Sequence, residues 1–479
     1  MKLFFGFLFT INFLFSGGLI QRAHGASLPP PVLKALKQAQ IPLSGIGVVV
    51  QEINARAPLI SVNASQAMNP ASTMKLLTTY AGLEMLGPAY NWKTEAYLNG
   101  KLEQGVLQGD LILKGYGDPK LTLEQFWLWL RELRSRGLRE IKGNLVLDRT
   151  AFELAPYDSA AFDNEPIRPY NLGPDALLLN FNAVRLRFIP DGEKIQIINE
   201  PELAGITLDN RVTAAASAVE SNVIEAIDCS NWDDAISTQL DGATLRLQGT
   251  FPVSCGECEQ HVCLLPPPQY VYAVFRTLWQ EMGGEFNGEL VEGVVPGSAT
   301  LFATHNSAPL AELIRDINKY SNNVMARQLF LSLGSTADTP SSIARSELAI
   351  RNWLAQKKLR FPELVLENGA GLSRKERISP SNMALLLQTA QRSPLSAEFE
   401  ASLPIIGVDG TLKKRLNDSV VASHAHLKTG SLDGVKAVAG YVQSRSGKQW
   451  LMVFLINHPN AAAGQQAQDA LIEWVQARH

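Results

Sequence analysis

Apolar residues recur at spacings of three and four in the segment that follows residue 75. The residues in register are Leu76, Leu77, Tyr80, Leu83 and Leu86. Such a stripe is typical of an amphipathic helix that packs against a core. Pro70 lies just ahead of Ser72, so we predict that Ser72 lies near the N-terminus of this helix.

Further helices and strands are predicted in the same way. Helices are predicted at residues 309–320, from the three-and-four spacing, and at residues 465–477. An alternating run at residues 435–442 and apolar segments at residues 48–52, 59–62 and 450–456 predict strands. Each chain end therefore supplies a hairpin, and antiparallel pairing of the two hairpins would form one sheet covered by the last helix. Helices from about residues 301–392 would lie beside this sheet.

The middle of the chain is predicted to form separate domains. Residues 126–147 and 271–292 both have the pattern of a helix, a glycine turn and a strand. We interpret them as two halves of one domain, interrupted by a strand-rich segment at about residues 160–262. A chain of 479 residues also exceeds what one hydrophobic core usually organises. The prediction is a multidomain α+β protein.

Ser72-Thr73-Met74-Lys75 is the first candidate for chemistry. A hydroxyl and an amine three positions apart share a helix face, so Lys75 can take the proton of the Ser72 hydroxyl. Unpaired N–H groups in the first helical turn also favour a developing anion there. Lys75 must be neutral to act as a base, and burial near a cation such as Lys428 would lower its pKa in that direction.

Two later motifs add groups to this pair. Ser321 and Asn323 follow the predicted helix at residues 309–320, where a loop would carry them into a cleft. The Ser321 hydroxyl can pass a proton to a leaving amine, and the Asn323 amide can hold a substrate carbonyl and the lysine ammonium. Lys428-Thr429-Gly430 precedes the predicted hairpin at residues 435–456, which places this motif at a sheet edge.

The edge-strand motif suits an extended peptide that ends in a carboxylate. An edge strand pairs with such a peptide through main-chain hydrogen bonds, and Gly430 lets the two backbones come close. Lys428 and Thr429 supply a positive charge and a hydroxyl for the carboxylate. The backbone N–H groups of Ser431 and Ser72 would then form an oxyanion hole for a tetrahedral intermediate.

In this order, the three motifs resemble those of the serine penicillin-binding proteins and serine β-lactamases. About 245 residues separate Lys75 from Ser321, and this long insertion resembles that of the class C low-molecular-mass penicillin-binding proteins, the D-alanyl-D-alanine carboxypeptidase/endopeptidases. Further segments are similar to recurrent stretches of that family, namely Gly115-Tyr116-Gly117-Asp118-Pro119, Gly369-Ala370-Gly371-Leu372-Ser373-Arg374 and Gly407-Val408-Asp409-Gly410-Thr411-Leu412. The resemblance covers nearly the whole chain after residue 25.

The resemblance implies a β-lactamase/transpeptidase-like catalytic domain, built from an antiparallel sheet with helices, and two inserted domains. The predicted boundaries are residues 26–95 and 297–479 for the catalytic domain, 96–160 and 263–296 for the second domain, and 161–262 for a strand-rich third domain. No cofactor or metal is required by the implied chemistry.

The resemblance also implies the reaction. Ser72 would attack the peptide carbonyl between two terminal D-alanines of a peptidoglycan stem peptide, and water would release the acyl-enzyme. β-Lactam antibiotics would acylate Ser72 as substrate mimics. A side-chain amide between two stem peptides in the same cleft would make the enzyme an endopeptidase as well. Asp148 and Phe152 are most similar to the acidic and aromatic residues with which the family selects a diamino acid in the stem.

Two other functions remain open at this point. A serine β-lactamase shares all three motifs, although a long insertion has no purpose in hydrolysing a small antibiotic. A non-hydrolytic β-lactam or cell-wall sensor would need a signalling partner or an anchor, and the sequence offers neither a transmembrane helix nor a kinase-like tail. A Ser-His-Asp triad is disfavoured because no histidine lies in a motif that would place it beside Ser72.

The first 25 residues have the pattern of a secretory signal. Lys2 precedes an apolar run at residues 3–15, and Ala23-His24-Gly25 provides small residues for cleavage. We therefore expect a secreted protein, in the periplasm or another extracytoplasmic cell-wall compartment. No later stretch approaches the length of a transmembrane helix. Loss of Lys2 and Arg22 takes the net charge from −3 to −5, which disfavours nucleic acid as a partner.

Four cysteines lie close together in the insertion, namely Cys229, Cys255, Cys258 and Cys263. Export favours disulfide bonds, and three pairings are possible. The alternative is a zinc site formed by Cys255, Cys258, His261 and Cys263, which an oxidising compartment and the uneven spacing disfavour. Either role would be structural.

Overall fold

The computed structural model describes residues 27–215, 229–336 and 339–479. The predicted secretory segment lies outside the described residues, as does part of the strand-rich segment. Within these ranges, the strands form sheets of five, six and seven strands. The molecule is a mixed α+β protein, as the sequence predicted.

The five-stranded sheet is antiparallel and joins the two ends of the chain. Numbered along the chain, its strands are β1 (Ile46–Glu52), β2 (Ile60–Val62), β16 (Ala425–Leu432), β17 (Val435–Gln443) and β18 (Gln449–Asn457). Their spatial order is β16-β17-β18-β1-β2, so β16 lies at an edge. The pairing of β1 with β18 runs from Ile46 and Ile456 to Glu52 and Trp450. It confirms that the terminal hairpins share one sheet.

Successive side chains of a strand point to opposite faces of the sheet, and the strands of this sheet have apolar side chains on both faces. Helices therefore cover both faces. α1 (Pro30–Gln38) and α10 (Gln465–Gln476) pack on the face that carries Val48 and Phe454. The opposite face packs against a helical group: α2 (Lys75–Leu86), α5 (Leu310–Lys319), α6 (Asn323–Ser332), α7 (Ile343–Gln356), α8 (Pro380–Gln391) and α9 (Ser396–Ala401). Residues 75–83 of α2 are all buried, so this helix lies at the centre of the group.

The seven-stranded sheet belongs to the insertion. Its strands are β3 (Lys93–Glu103), β4 (Val106–Gly115), β5 (Glu140–Ile141), β6 (Leu145–Asp148), β13 (Glu285–Phe286), β14 (Leu290–Glu292) and β15 (Thr300–Asn306). The predicted repeats supply α3 (Leu123–Ser135) with β5 and β6, and α4 (Pro267–Glu281) with β13 and β14. β13 pairs in parallel with β5, and β14 with β6, so the two halves lie side by side as predicted. β15 pairs with β3, although the sequence analysis placed it with the Ser72 part of the chain.

The six-stranded sheet forms the strand-rich part of the insertion. Its strands are β7 (Val184–Asp191), β8 (Lys194–Glu200), β9 (Thr207–Ala215), β10 (Ile236–Asp241), β11 (Thr244–Pro252) and β12 (Cys258–Val262). One apolar core joins this sheet to the seven-stranded sheet and to α3 and α4. The insertion therefore has a core of its own, separate from the core around α2.

The cysteines resolve one of the open alternatives. Cys229 and Cys255 form a disulfide, with their Cα atoms 5.6 Å apart, while Cys258 and Cys263 are free thiols. Because Cys255 is in the disulfide, it is not available for the zinc site considered from the sequence. The disulfide ties the turn between β11 and β12 to the segment before β10.

Asp118 is a buried carboxylate in the loop that follows β4. Its Oδ1 accepts the N–H of Lys120 at 2.8 Å, and its Oδ2 has no hydrogen-bond partner among the described residues. Burial raises the pKa of Asp118 from its ordinary value of 3.8 to about 6. The native state therefore binds the Asp118 proton more tightly than the unfolded chain does. The contribution of this proton to the free energy of unfolding is complete below pH 4 and is lost as the pH rises through 6.

We expect Asp118→Asn to raise the free energy of unfolding at pH 7.5 by about 1–2 kcal/mol and to give no gain at pH 4. The amide avoids an ionisation penalty of about 3 kcal/mol, and its unpaired N–H offsets part of that gain. Thermal unfolding at both pH values measures the difference, with Asp418→Asn at an exposed position as the control. Equal stabilisation at both pH values would contradict this explanation.

Candidate active site

Ser72 lies in a short 3₁₀ turn, Ala71–Met74, that leads directly into α2. The sequence analysis predicted Ser72 near the N-terminus of this helix, and the structure places it three residues before Lys75, the first residue of α2. Ala71 has a φ of +45°, in the left-handed region that is uncommon for a residue with a side chain. The Asn69 Oδ1 accepts the Ala71 N–H at 2.9 Å and holds this conformation. Strain of this kind is characteristic of functional sites.

Lys75 is fully buried at the start of α2, and its ammonium nitrogen joins three parts of the chain. Its Nζ lies 3.0 Å from Ser72 Oγ and donates to Asn323 Oδ1 at 2.6 Å. It also donates to the backbone carbonyl of Ala370 at 2.5 Å. The predicted Ser72–Lys75 contact is therefore present, and the Ala370 carbonyl is a partner that the motifs did not indicate.

The surroundings of Lys75 favour its neutral form. Burial is the largest cause, and it lowers the pKa of Lys75 well below its ordinary value of 10.5. The positive charges of Lys428 and Arg327 lower this pKa further. Glu376 acts in the opposite direction because its negative charge stabilises the ammonium. A neutral lysine beside a serine hydroxyl can take its proton.

Ser321 and Asn323 lie at the bend between α5 and α6. Ser321 has a φ of +57°, and Asn322 caps α6 by accepting the N–H of Met325 at 3.0 Å. Asn323 is the first residue of α6 rather than part of a loop. The sequence analysis missed this helix start, because the polar Ser-Asn-Asn segment was interpreted as the end of α5 and not also as the cap of the next helix.

Lys428 lies behind Ser321 on the edge strand β16. It is fully buried, and its Nζ donates to Ser321 Oγ at 2.8 Å and to the Thr429 carbonyl at 2.9 Å. Burial lowers the pKa of Lys428 from 10.5 to about 7. The two lysines therefore hold the two serines of the site, Lys75 with Ser72 and Lys428 with Ser321.

A cleft of about 480 Å³ opens over these groups. Its walls include Ser72, Ser321, Thr429, Gly430 and Ser431, together with the cationic residues Lys414, Arg415 and Lys436. A Cβ at Gly430 would lie 2.8 Å from the Ser72 backbone nitrogen, so only glycine lets β16 pass this close to the turn. The Thr429 hydroxyl lies 3.0 Å from that of Thr411 and remains beside the cleft.

Glu376 organises the loop that carries Ala370. Its carboxylate is fully buried, and Oε1 accepts three backbone N–H groups at 2.9–3.1 Å, those of Glu367, Asn368 and Gly369. The same loop contains Gly371, where a Cβ would lie 2.0 Å from the Ala71 carbonyl. Nothing in the sequence spacing signalled that this loop contacts Lys75, because about 295 residues separate the two.

Asp148 and Phe152 are not part of this group. The Asp148 side chain has no exposed surface, and its carboxylate accepts hydrogen bonds from Thr150 and from the N–H of Val295. Phe152 is buried and packs beside Gly117. Neither residue lines the cleft over Ser72. Their role in selecting a diamino acid stays a prediction, without support from these contacts.

A family model described as D-Ala-D-Ala carboxypeptidase 3 (S13) matches residues 31–478. The chain belongs to this family. It is similar to the D-alanyl-D-alanine carboxypeptidase DacB of Haemophilus influenzae, with 29% identity over 422 residues that cover 86% of this chain and 85% of the relative. The predicted family is thereby confirmed, and the chain is a serine-type D-Ala-D-Ala carboxypeptidase.

Solved structures give the same answer for the fold of this carboxypeptidase. The crystal structure of penicillin binding protein 4 of Haemophilus influenzae superposes with a TM-score of 0.75 and 26% identity, over 92% of this chain and 99% of that one. A predatory peptidoglycan endopeptidase of Bdellovibrio bacteriovorus reaches a TM-score of 0.52 at 16% identity, over 90% and 92%, which shows a shared fold alone. None of the helices in the described residues is long and apolar enough to cross a membrane.

Proposed function

We propose that this carboxypeptidase acts through an acyl-enzyme on Ser72. The supporting observation is that one buried nitrogen, Lys75 Nζ, contacts both Ser72 Oγ and Asn323 Oδ1. Lys75 takes the hydroxyl proton as Ser72 attacks the carbonyl between the two terminal D-alanines of a stem peptide. The backbone N–H groups of Ser72 and Ser431 receive the oxyanion. Ser321, held by Lys428, then relays the proton from Lys75 to the nitrogen of the leaving D-alanine, so Lys75 is neutral again.

The carboxylate of the terminal D-alanine binds beside β16 in this proposal. Protonated Lys428 supplies the charge, and the hydroxyls of Thr429 and Thr411 supply hydrogen bonds. Lys414 and Lys436 add positive charge to the cleft walls. The substrate backbone pairs with the outer edge of β16 at Gly430, beyond the part of that edge to which residues 404–406 are hydrogen-bonded.

The proposal includes sensitivity to penicillin and, as a second activity, endopeptidase cleavage of cross-linked stem peptides. A β-lactam acylates the same serine, and its tethered leaving group then hinders water. In a cross-link, the amine that leaves on cleavage also has a carboxylate next to it. The groups beside β16 can bind this carboxylate as they bind that of the terminal D-alanine, so the same cleft can accept the cross-link. The Bdellovibrio relative is an endopeptidase with this fold. We further propose secretion to the periplasm or an equivalent cell-wall compartment, where peptidoglycan is found.

The decisive experiment compares three reactions of the purified mature protein. D-Alanine release from a pentapeptide stem, cleavage of a cross-linked dimer and turnover of a chromogenic β-lactam are measured with and without prior penicillin. We expect penicillin-sensitive D-alanine release, and the dimer assay ranks the endopeptidase activity against it. Rapid β-lactam turnover without peptide cleavage would favour a β-lactamase, and stable labelling without any hydrolysis would favour a sensor.

Glu376→Gln is expected to move the acidic limb of the β-lactam acylation rate to lower pH. Removing a negative charge near Lys75 lowers the pKa of Lys75, so a larger fraction of it is neutral at a given acidic pH. The glutamine carbonyl can still accept the backbone N–H groups of the loop. The rate is measured as a function of pH beside Glu363→Gln, a half-buried carboxylate that accepts the Ser379 N–H. A uniform loss of rate without a shift would instead indicate a purely structural role.

A further inference from the structure

A second cavity, of about 750 Å³, lies between α6 and the insertion. Residues 149–182 and 263–267 of the insertion face residues 327–331 of α6 across it. It shares no lining residue with the cleft over Ser72. Its size is within the range of cavities that hold small organic ligands. The cavity is therefore a separate candidate binding site.

Arg327 brings a buried positive charge to the wall of this cavity. Its side chain is only 3% exposed. The guanidinium donates through Nη1 to the carbonyls of Leu172 and Tyr170, while Nε has no hydrogen-bond partner. Among the described residues, no carboxylate forms an ion pair with it. The guanidinium lies over the Tyr157 ring, 5.6 Å from its centroid, and the charges of Glu376 and Glu367 act on it only from farther away. A buried guanidinium without a carboxylate is costly unless an anion compensates it.

The other charges on the wall are already compensated. Arg149 forms ion pairs with Asp175 and Glu292. Asn182 is 1% exposed, and its Oδ1 has no hydrogen-bond partner among the described residues. Most of the remaining wall is apolar, including Leu154, Ile167 and Phe330. The cavity therefore combines an apolar interior with one cation that has no carboxylate in ion-pair contact among the described residues, and with one free hydrogen-bond acceptor, the Asn182 Oδ1.

We propose that this cavity binds a small monocarboxylate with an apolar body, whose carboxylate pairs with the Arg327 guanidinium. A planar guanidinium binds a carboxylate through two parallel hydrogen bonds, and Nε is one of the donors that such a pair uses. The apolar body is buried against the leucine, isoleucine and phenylalanine side chains. Fatty acids and N-acyl amino acids share this chemistry, and an N-acyl amino acid also has an amide N–H for the Asn182 Oδ1.

Ligand binding at this site is coupled to Lys75, a step that rests on the proposed function. Arg327 lies one helical turn after Asn323 on α6, and its charge helps to keep the pKa of Lys75 low. The other charged groups that act on Lys75 are Lys428 and Glu376. A carboxylate on Arg327 offsets its positive charge, so Lys75 holds its proton more tightly. The monocarboxylate is therefore an inhibitor of Ser72 acylation on the acidic side of the pH profile.

Isothermal titration of the Ser72→Ala protein tests binding without any need for activity. The probes are octanoate, its neutral analogue octanamide, and N-hexanoylglycine, which has an amide within a chain of similar length. We expect one octanoate per chain, with at least about tenfold weaker binding of octanamide, because a charged hydrogen-bonded pair is lost. Tighter binding of N-hexanoylglycine would assign the natural ligand to the N-acyl amino acids, and tighter binding of octanoate to the fatty acids.

Two variants separate the Arg327 pair from general effects on folding. Arg327→Gln should weaken octanoate binding at least about tenfold and leave octanamide binding unchanged. Ala155→Trp places a large side chain into the cavity from an exposed position, and it should block both probes. Equal affinity of octanoate for the parent protein and for Arg327→Gln would overturn the proposal, as would the absence of saturable octanoate binding.

The coupling is measured in the protein with Ser72 present. Saturating octanoate should slow β-lactam acylation about threefold on the acidic limb, because it raises the pKa of Lys75 and a smaller fraction of this lysine is then neutral at a given pH. Octanamide should have no effect. Acylation that proceeds normally without any octanoate binding would refute only the second site. Octanoate binding to a protein that no β-lactam or peptide acylates would refute only the proposed function.

Discussion

Replacing Ser72 with alanine is expected to reduce D-alanine release and covalent β-lactam labelling by about 10⁴–10⁶-fold, with the protein still folded. The hydroxyl is the nucleophile in the proposed mechanism, and no other hydroxyl in the site is bound to Lys75 Nζ. The cost to stability is small, because Ser72 is partly exposed at the cleft and Lys75 Nζ keeps two other acceptors, Asn323 Oδ1 and the Ala370 carbonyl.

Intact-mass measurement after incubation with penicillin detects labelling, and a coupled assay detects free D-alanine. Ser381→Ala is a suitable control, since it removes a partly exposed serine hydroxyl on α8, away from the cleft, and should leave both signals unchanged. Thermal unfolding of the Ser72→Ala protein establishes that it is folded. Labelling at the parental rate in this variant would exclude Ser72 as the nucleophile.

Much of the site could be predicted because its chemistry resides in short contiguous motifs. Ser72 and Lys75 are three positions apart, so local backbone geometry alone brings their side chains together. The β16 motif was also predictable, since the two apolar segments of β17 and β18, separated by the Ser446-Gly447 turn, indicated the hairpin that follows it. Local pattern and tertiary structure agree at these positions.

The contacts that tune Lys75 could not be predicted in the same way. The Ala370 carbonyl and the Arg327 and Glu376 charges reach Lys75 from distant parts of the sequence. A sequence gives the sign of a charge but not its burial, and burial determines how strongly one charge acts on another. The insertion illustrates the same limit. Asp148 ends β6, where its buried carboxylate accepts hydrogen bonds from Thr150 and Val295 and lies 3.4 Å from Lys114 Nζ, and it does not line the cleft.

Lys75→Met is expected to slow acylation of Ser72 by about 10²–10⁴-fold, the usual contribution of a general base. Methionine fills a similar volume and cannot accept a proton from the serine. It also leaves Asn323 Oδ1 and the Ala370 carbonyl without their lysine donor, so thermal unfolding must accompany the kinetics. The second-order rate of β-lactam labelling is measured from pH 5 to 10 in the parent protein and in the variant.

The pH dependence distinguishes a base from a residue that merely holds Ser72 in place. In the parent protein the acylation rate should rise with pH as Lys75 loses its proton, which gives the acidic limb. For a peptide substrate, kcat/KM should fall again above pH 7, which gives an alkaline limb. Lys428 has a pKa of about 7 and must be charged to bind the substrate carboxylate. Lys75→Met should lose the acidic limb and keep the alkaline one. A variant whose slow reaction keeps the parental acidic limb would show that another group accepts the proton, and the lysine would then serve only to position Ser72.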